Sequence, residues 1–170
     1  AAETGAILLH PFDDPLIVAG QSTAAYEMMR QAAAGGATID AVLVPVGGGG
    51  LIAGCALACE ELGAPAVYAV EPAGYDDFGR SLARAAERAG LPARERLANM
   101  ATTKTLCDAL QAVRPGAVTF KVAYGRVAHS IAVADIDVRR AMALAFRHLK
   151  IVLEPSGAVA LGALLAAPDE

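Results

Sequence analysis

Apolar positions along the chain fall into two alternating patterns. Short runs rich in β-branched and aliphatic residues, AILLH (6–10), AVLVPV (41–46), AVYAVE (66–71) and HSIAVA (129–134), have the length and composition of buried strands. Between them lie longer stretches with helical spacing of apolar residues: STAAYEMMRQAAA (22–34), LIAGCALACEEL (51–62), DDFGRSLARAAERAG (76–90) and DIDVRRAMALAFRHLK (135–150). A last helix, SGAVALGALLAA (156–167), follows IVLEP. Strand, crossover helix and strand at this spacing predict βαβ units and a parallel sheet. The expected class is α/β, three-layer with a mostly parallel sheet, and residues 1–170 form a single domain. Residues 91–120, broken by LP and RPG, are expected to be a long surface connection.

Composition sharpens this picture. The chain is 55% hydrophobic, with a mean hydropathy of +0.44, yet no run of 18 or more apolar residues occurs. From that pattern neither a transmembrane helix nor a signal peptide is expected, and it fits a sheet covered on both faces. A further source of high hydropathy is surface that packs against more protein. Acidic and basic residues, 18 against 14, are interleaved to a net charge of −4. RSLARAAERAGLPARERL (80–97) is the one basic-leaning segment and reads as a solvated helix face. Without a basic block interleaved with aromatics, nucleic acid is not an expected partner. Cys55, Cys59 and Cys107 form no CxxC, so reduced, buried thiols and a cytoplasmic location are expected.

The candidate chemistry lies in AVLVPVGGGGLIAG (41–54). A glycine run between a buried strand and a helix N-terminus is a phosphate cradle. Backbone without Cβ atoms comes close to the anion, several N–H groups converge, and the helix dipole adds positive charge. Two kinds of phosphate ligand fit. Gly48, Gly50 and Ala53 satisfy G-x-G-x-x-A, and Glu71 ends the next strand, which is the dinucleotide-binding fingerprint with its acid. A monophosphate fits the same loop. A Walker loop is excluded, because no GK[ST] follows the glycines. The remaining reading is a tight turn with nothing bound, for which four glycines are costly in chain entropy.

Five ordered motifs separate these readings: HPFDDPLIVAGQST, VPVGGGGLIAG, EPAGYDD, TLCDAL followed by RPG, and LEPSGAVALGALL. Together they resemble the fold type II pyridoxal-phosphate (PLP) enzymes, in the threonine/serine dehydratase and serine racemase branch, over nearly the whole chain. The resemblance implies that Gly47, Gly48, Gly49 and Gly50 hold the PLP phosphate, with Leu51 opening the helix. It puts Phe12 of HPF at the active-site cleft, with a hydrophobic staple as the alternative. Ala109 of TLCDAL takes a position beside the ring where the family carries Gly. Glu154 and Ser156 of LEPSG come near the ring, and Ser156 alternatively caps the last helix. EPAGYDD resembles the family's divalent-cation site and implies Glu71, the Tyr75 carbonyl and Asp77 as ligands of Mg²⁺ or Ca²⁺. The alternative there is a strand-end acid followed by an Asp N-cap. The implied reaction is β-elimination of water from serine or threonine, giving a 2-oxo acid and ammonia. Racemisation uses the same ring and differs in the face of reprotonation.

The same resemblance exposes what these residues do not contain. PLP chemistry needs a lysine, which the family carries in an S-x-K-x-R-G motif ahead of the HPF loop. Lys104, Lys121 and Lys150 follow the glycine loop and lack that motif. The S-x-G-N-H substrate-carboxylate loop and the C-terminal S-G-G-N element have no counterpart either. The expectation is therefore an incomplete large domain, without the small domain or lysine segment, that does not catalyse alone. A homodimer or a complementing chain is the expected kind of partner, besides a small hydroxyl amino acid. A dinucleotide-binding domain and a non-catalytic phosphate-binding module are the rival readings.

Overall fold

The computed structural model describes residues 4–63, 65–87 and 104–166. Strands β1 (Ala41–Pro45), β2 (Ala66–Pro72) and β3 (Val127–Val133) pair in that order, parallel throughout. Parallel neighbours require long crossovers. Helix α2 (Gly50–Glu61) joins β1 to β2, and α3 (Asp77–Glu87) and α4 (Ala117–Ala123) lie between β2 and β3. Helix α1 (Pro15–Ala34) precedes β1, while α5 (Asp135–Leu144) and α6 (Pro155–Ala166) follow β3.

Strand alternation assigns the helices to their faces, because successive side chains point to opposite sides. Val42, Val44, Val67 and Ala69 pack with Val18 of α1, Ile52 of α2, Phe78 of α3 and Phe120 of α4. Leu43, Val70 and Val133 meet Val138 of α5 and Val159 of α6 on the other face. The three-layer α/β class expected from the sequence is thus observed. Helices α1 and α2 touch backbone to backbone at Gly54, where a Cβ would lie 2.5 Å from Ser22 N and 2.6 Å from Val18 O.

Helix α1 begins at Pro15 rather than at Ser22. Asp14 caps it, accepting from Leu16 N–H at 2.7 Å and Ile17 N–H at 3.4 Å, and Pro15 supplies a preset first turn. AILLH is not a strand: no described strand lies beside it to complete a ladder, and Ile7, Leu8 and Leu9 are 86%, 87% and 71% exposed. Of the expected connection over 91–120, residues 91–103 lie outside the described residues, as does the 88–90 end of the third predicted helix. The remainder holds a 3₁₀ turn (Asp108–Leu110) and α4, whose Thr119, Phe120 and Ala123 are buried. Helix α4 is a core element rather than part of a surface connection, while Gln111, Val113 and Arg114 ahead of it are exposed.

Helix α5 continues into a π turn (Ala145–Leu149), closed by Lys150 at φ 58°. The three cysteines are free and buried, and burial, with Cys59 alongside, pushes the Cys55 thiol up to about 11. Among the described residues no helix is long and apolar enough to cross a membrane.

Candidate functional site

Where β1 ends, the chain turns through the glycine loop into α2. Gly49 carries the turn at φ 93°, a conformation open to glycine and strained for other residues. The loop is also closely covered. A Cβ at Gly48 would lie 2.3 Å from the Phe12 ring, and one at Gly47 3.2 Å from Leu110 Cα. Among the described residues, no acceptor meets the amide N–H groups of Gly47 to Gly50, or of Leu51 and Ile52 in the first turn of α2. Gly47 to Leu51 border a cavity of about 420 Å³. Its lining includes Gly47, Gly48, Gly49, Gly50, Leu51, Phe12, Ala109 and Glu154, so the structure gathers into one space every residue that the resemblance linked to the cofactor. A run of N–H donors without acceptors at a helix N-terminus suits a monophosphate anion.

The HPFDD segment builds one wall, which Pro11 and Phe12 line. His10 Nδ1 accepts from Asp13 N–H at 2.8 Å and Phe12 N–H at 3.3 Å, which shapes the turn. Phe12 packs against Gly48 and Gly50. The Asp13 carboxylate accepts from the N–H groups of Ala117, Val118 and Thr119 at 3.0, 2.7 and 3.1 Å, anchoring the start of α4. Asp14 caps α1. The sequence carries no local signal for this role of Asp13, because its partners lie 104 residues or more away.

The facing wall is held from α5 and α6. Asp135 accepts from Thr105 Oγ1 at 2.8 Å and Leu106 N–H at 3.0 Å, and Ser156 Oγ accepts from Ala109 N–H at 3.1 Å. Ser156 therefore positions the Ala109 backbone instead of capping its own helix. Lys104, Lys121 and Lys150 are exposed, and none lines the cavity. The Lys150 amine donates to Arg147 O at 2.7 Å, at the end of the π turn.

At the end of β2 the chemistry is reversed. Glu71 and Asp77 are buried. Glu71 accepts from Phe78 N–H at 2.8 Å, Gly79 N–H at 2.9 Å and Ser130 Oγ at 2.7 Å, so it satisfies the N-terminus of α3 from the strand. Asp77 Oδ2 is buried without a hydrogen-bond partner. Burial raises the Glu71 carboxyl to about 7 against those three bonds. Burial first, then the Glu71 charge, raises Asp77 to about 7. Tyr75 is buried in the turn between them, its N–H donating to Pro72 O at 2.9 Å. Among the described residues no three His, Cys, Asp or Glu side chains gather as metal ligands. The dinucleotide reading fails at the same residue. A ribose-binding acid must face the ligand, whereas Glu71 is fully enclosed and bonded to α3 and β3.

Known proteins are similar to this chain in sequence and in fold. The pyridoxal-phosphate dependent enzyme family matches residues 1–170. A serine racemase of Arabidopsis thaliana is 36% identical over 166 residues, covering 96% of this chain and 45% of that protein. A beta-hydroxyaspartate dehydratase of Paracoccus denitrificans is 37% identical, covering 99% and 49%. The crystal structure of a T.th. threonine deaminase superposes with a TM-score of 0.88 at 39% identity, covering 98% of this chain and 52% of that one. The chain thus spans about half the length of the curated relatives it matches. With the family matched from end to end and its fold reproduced, the chain belongs to the pyridoxal-phosphate dependent enzymes of fold type II.

Proposed function

We propose that this chain supplies the phosphate-anchoring part of a PLP-dependent ammonia-lyase that eliminates water from a hydroxyl amino acid, serine or threonine. The observation that carries the reading is the cavity lined by Gly47 to Leu51, whose five amide N–H groups have no acceptor among the described residues, together with Phe12, Ala109 and Glu154. The N–H groups bind the phosphate, aided by the dipole of α2. Phe12, Ala109 and Glu154 line the space left for the ring, and Ser156 and Asp135 hold the Ala109 segment in place. Bound PLP supplies the electron sink for the Cα–H bond that is broken. No lysine of this chain lines the cavity, so Lys104, Lys121 and Lys150 are not placed to carry the Cα proton. By itself the chain is expected to bind phosphate and PLP without turnover.

A cation at the end of β2 is favoured by a separate observation, the partnerless buried Oδ2 of Asp77. Asp77, the Tyr75 carbonyl and Glu71 form an all-oxygen set suited to Mg²⁺ or Ca²⁺. Its role would be structural, fixing the turn into α3.

Addition of PLP, borohydride reduction and peptide mapping test the main reading. The expected result is thermal protection by PLP with no stoichiometric label on Lys104, Lys121 or Lys150. A single fully labelled lysine, or no protection by PLP or phosphate, contradicts it. In a protein that includes the lysine segment, 2-oxo acid released from L-threonine or L-serine supports elimination. D-serine without 2-oxo acid makes the enzyme a racemase.

A further inference from the structure

The glycine loop is pinned from behind by a residue outside the cavity. Thr119, in the first turn of α4 and fully buried, donates its hydroxyl to Gly48 O at 2.8 Å, in preference to Gly116 O at 3.2 Å. Gly48 O also accepts from Gly116 N–H at 3.0 Å, so both of its lone pairs are used. A Cβ at Gly49 would lie 2.9 Å from Thr119 Oγ1, which places that side chain directly under the left-handed turn. Thr119 in turn is fixed by Asp13, which accepts its N–H at 3.1 Å and those of Ala117 and Val118.

The peptide between Gly48 and Gly49 is trans, as is every other described peptide bond. In a trans peptide the C=O and N–H point in opposite directions. A Gly48 carbonyl held on the Thr119 side therefore turns the Gly49 N–H away from Thr119. Gly48 and Gly49 line the cavity and Thr119 does not. The geometry points to Thr119 as a positioning residue for anion binding: its hydroxyl fixes the orientation of the Gly48–Gly49 peptide and so presents the Gly49 N–H to the phosphate. This inference rests on the reading of the loop as a phosphate cradle and names what preorganises it.

Preorganisation matters because a free loop of four glycines has many conformers to give up when an anion binds. Losing one neutral hydrogen bond that selects the binding conformer corresponds to about a tenfold weaker affinity. Thr119→Val keeps the shape and removes the hydroxyl, Thr119→Cys replaces it with a weak donor, and Thr119→Ser retains it. Affinity for inorganic phosphate, followed by ³¹P NMR, is expected to fall about tenfold in the Val and Cys variants and to be retained in the Ser variant. In the phosphate-free protein, the Gly49 amide resonance is expected to move in the Val and Cys variants only.

A role in stability alone would lower the melting temperature of the variants without changing phosphate affinity or the Gly49 resonance. Equal affinity and an unmoved Gly49 resonance in the Val, Cys and Ser variants would overturn the inference. If the unaltered chain binds no phosphate while the Gly49 resonance still responds to Thr119→Val, the latch stands and the cradle reading fails. Should Thr119→Val not fold, the Cys and Ser pair makes the same comparison.

Discussion

Two neighbouring strands of one sheet end in opposite chemistry. β1 runs into a loop without side chains, which lines a cavity and whose amide N–H groups have no acceptor among the described residues. β2 runs into a loop with two buried acids, Glu71 triply bonded and Asp77 with an oxygen left bare, beside a half-buried Asp76 paired with Arg80. The first offers donors to an anion; the second offers oxygens to a cation or to protons. In parallel sheets, binding groups gather at the carboxyl ends of strands because each strand there hands over to a helix N-terminus. The comparison shows how the same handover yields both signs. At β1 the N-terminus of α2 is left open to a ligand, while at β2 the N-terminus of α3 is neutralised from within by Glu71.

Breaking the β1 loop gives the largest expected effect. Gly49→Val forces a β-branched residue to φ 93° and drives its Cβ to 2.9 Å from Thr119 Oγ1. We expect a destabilisation on the order of 3 kcal/mol by urea denaturation, with phosphate binding abolished. At the β2 loop, Glu71→Gln should cost about 2 kcal/mol, since either amide orientation turns an NH₂ group towards a backbone N–H. Its phosphate affinity should be unchanged, because Glu71 does not line the cavity. Parallel losses of affinity in both variants would show that the two loops are one unit.

A smaller effect separates the loops by pH. Glu71 and Asp77 have folded-state values near 7, above their unfolded values of 4.5 and 3.8. Between those limits the folded chain holds protons that the unfolded chain has released, so stability falls as pH rises from about 4 to 7. In chelator the melting temperature should therefore drop from pH 5 to pH 8. Millimolar Mg²⁺ or Ca²⁺ should restore it at pH 8, where the carboxylates are charged, and change little at pH 5. A melting temperature that is flat with pH and indifferent to both ions would remove the cation reading and leave Glu71 as a helix anchor only.

The glycine loop was legible in the sequence because its requirement is an absence, four positions without Cβ after a β-branched strand. No other residue type satisfies it, so the pattern carries the geometry. The sheet and its covering helices were legible for a related reason, since buried parallel strands leave continuous apolar runs. The acids were less so. Glu71 at a strand end looks the same whether it binds a cation, a ribose or a helix N-terminus, and the three donors that fix it come from residues 78, 79 and 130. Asp13 and Thr119 gave no local signal, because each acts on backbone brought close only by the fold. AILLH satisfied strand propensity, yet a strand exists by its neighbour. AVTFKVA (117–123) hid a helix behind β-branched residues, where Asp13 supplies the stabilising cap from afar.

The most direct measurement is a titration of the ¹⁵N-labelled chain with inorganic phosphate, followed by PLP and by NAD as competitors. The account predicts saturable shifts of the amide resonances from Gly47 to Ile52, reproduced by PLP and not by NAD, with residues of the β2 loop unmoved. Shifts confined to other regions, or none at saturating phosphate, would contradict the assignment of the glycine loop as the cofactor's phosphate site.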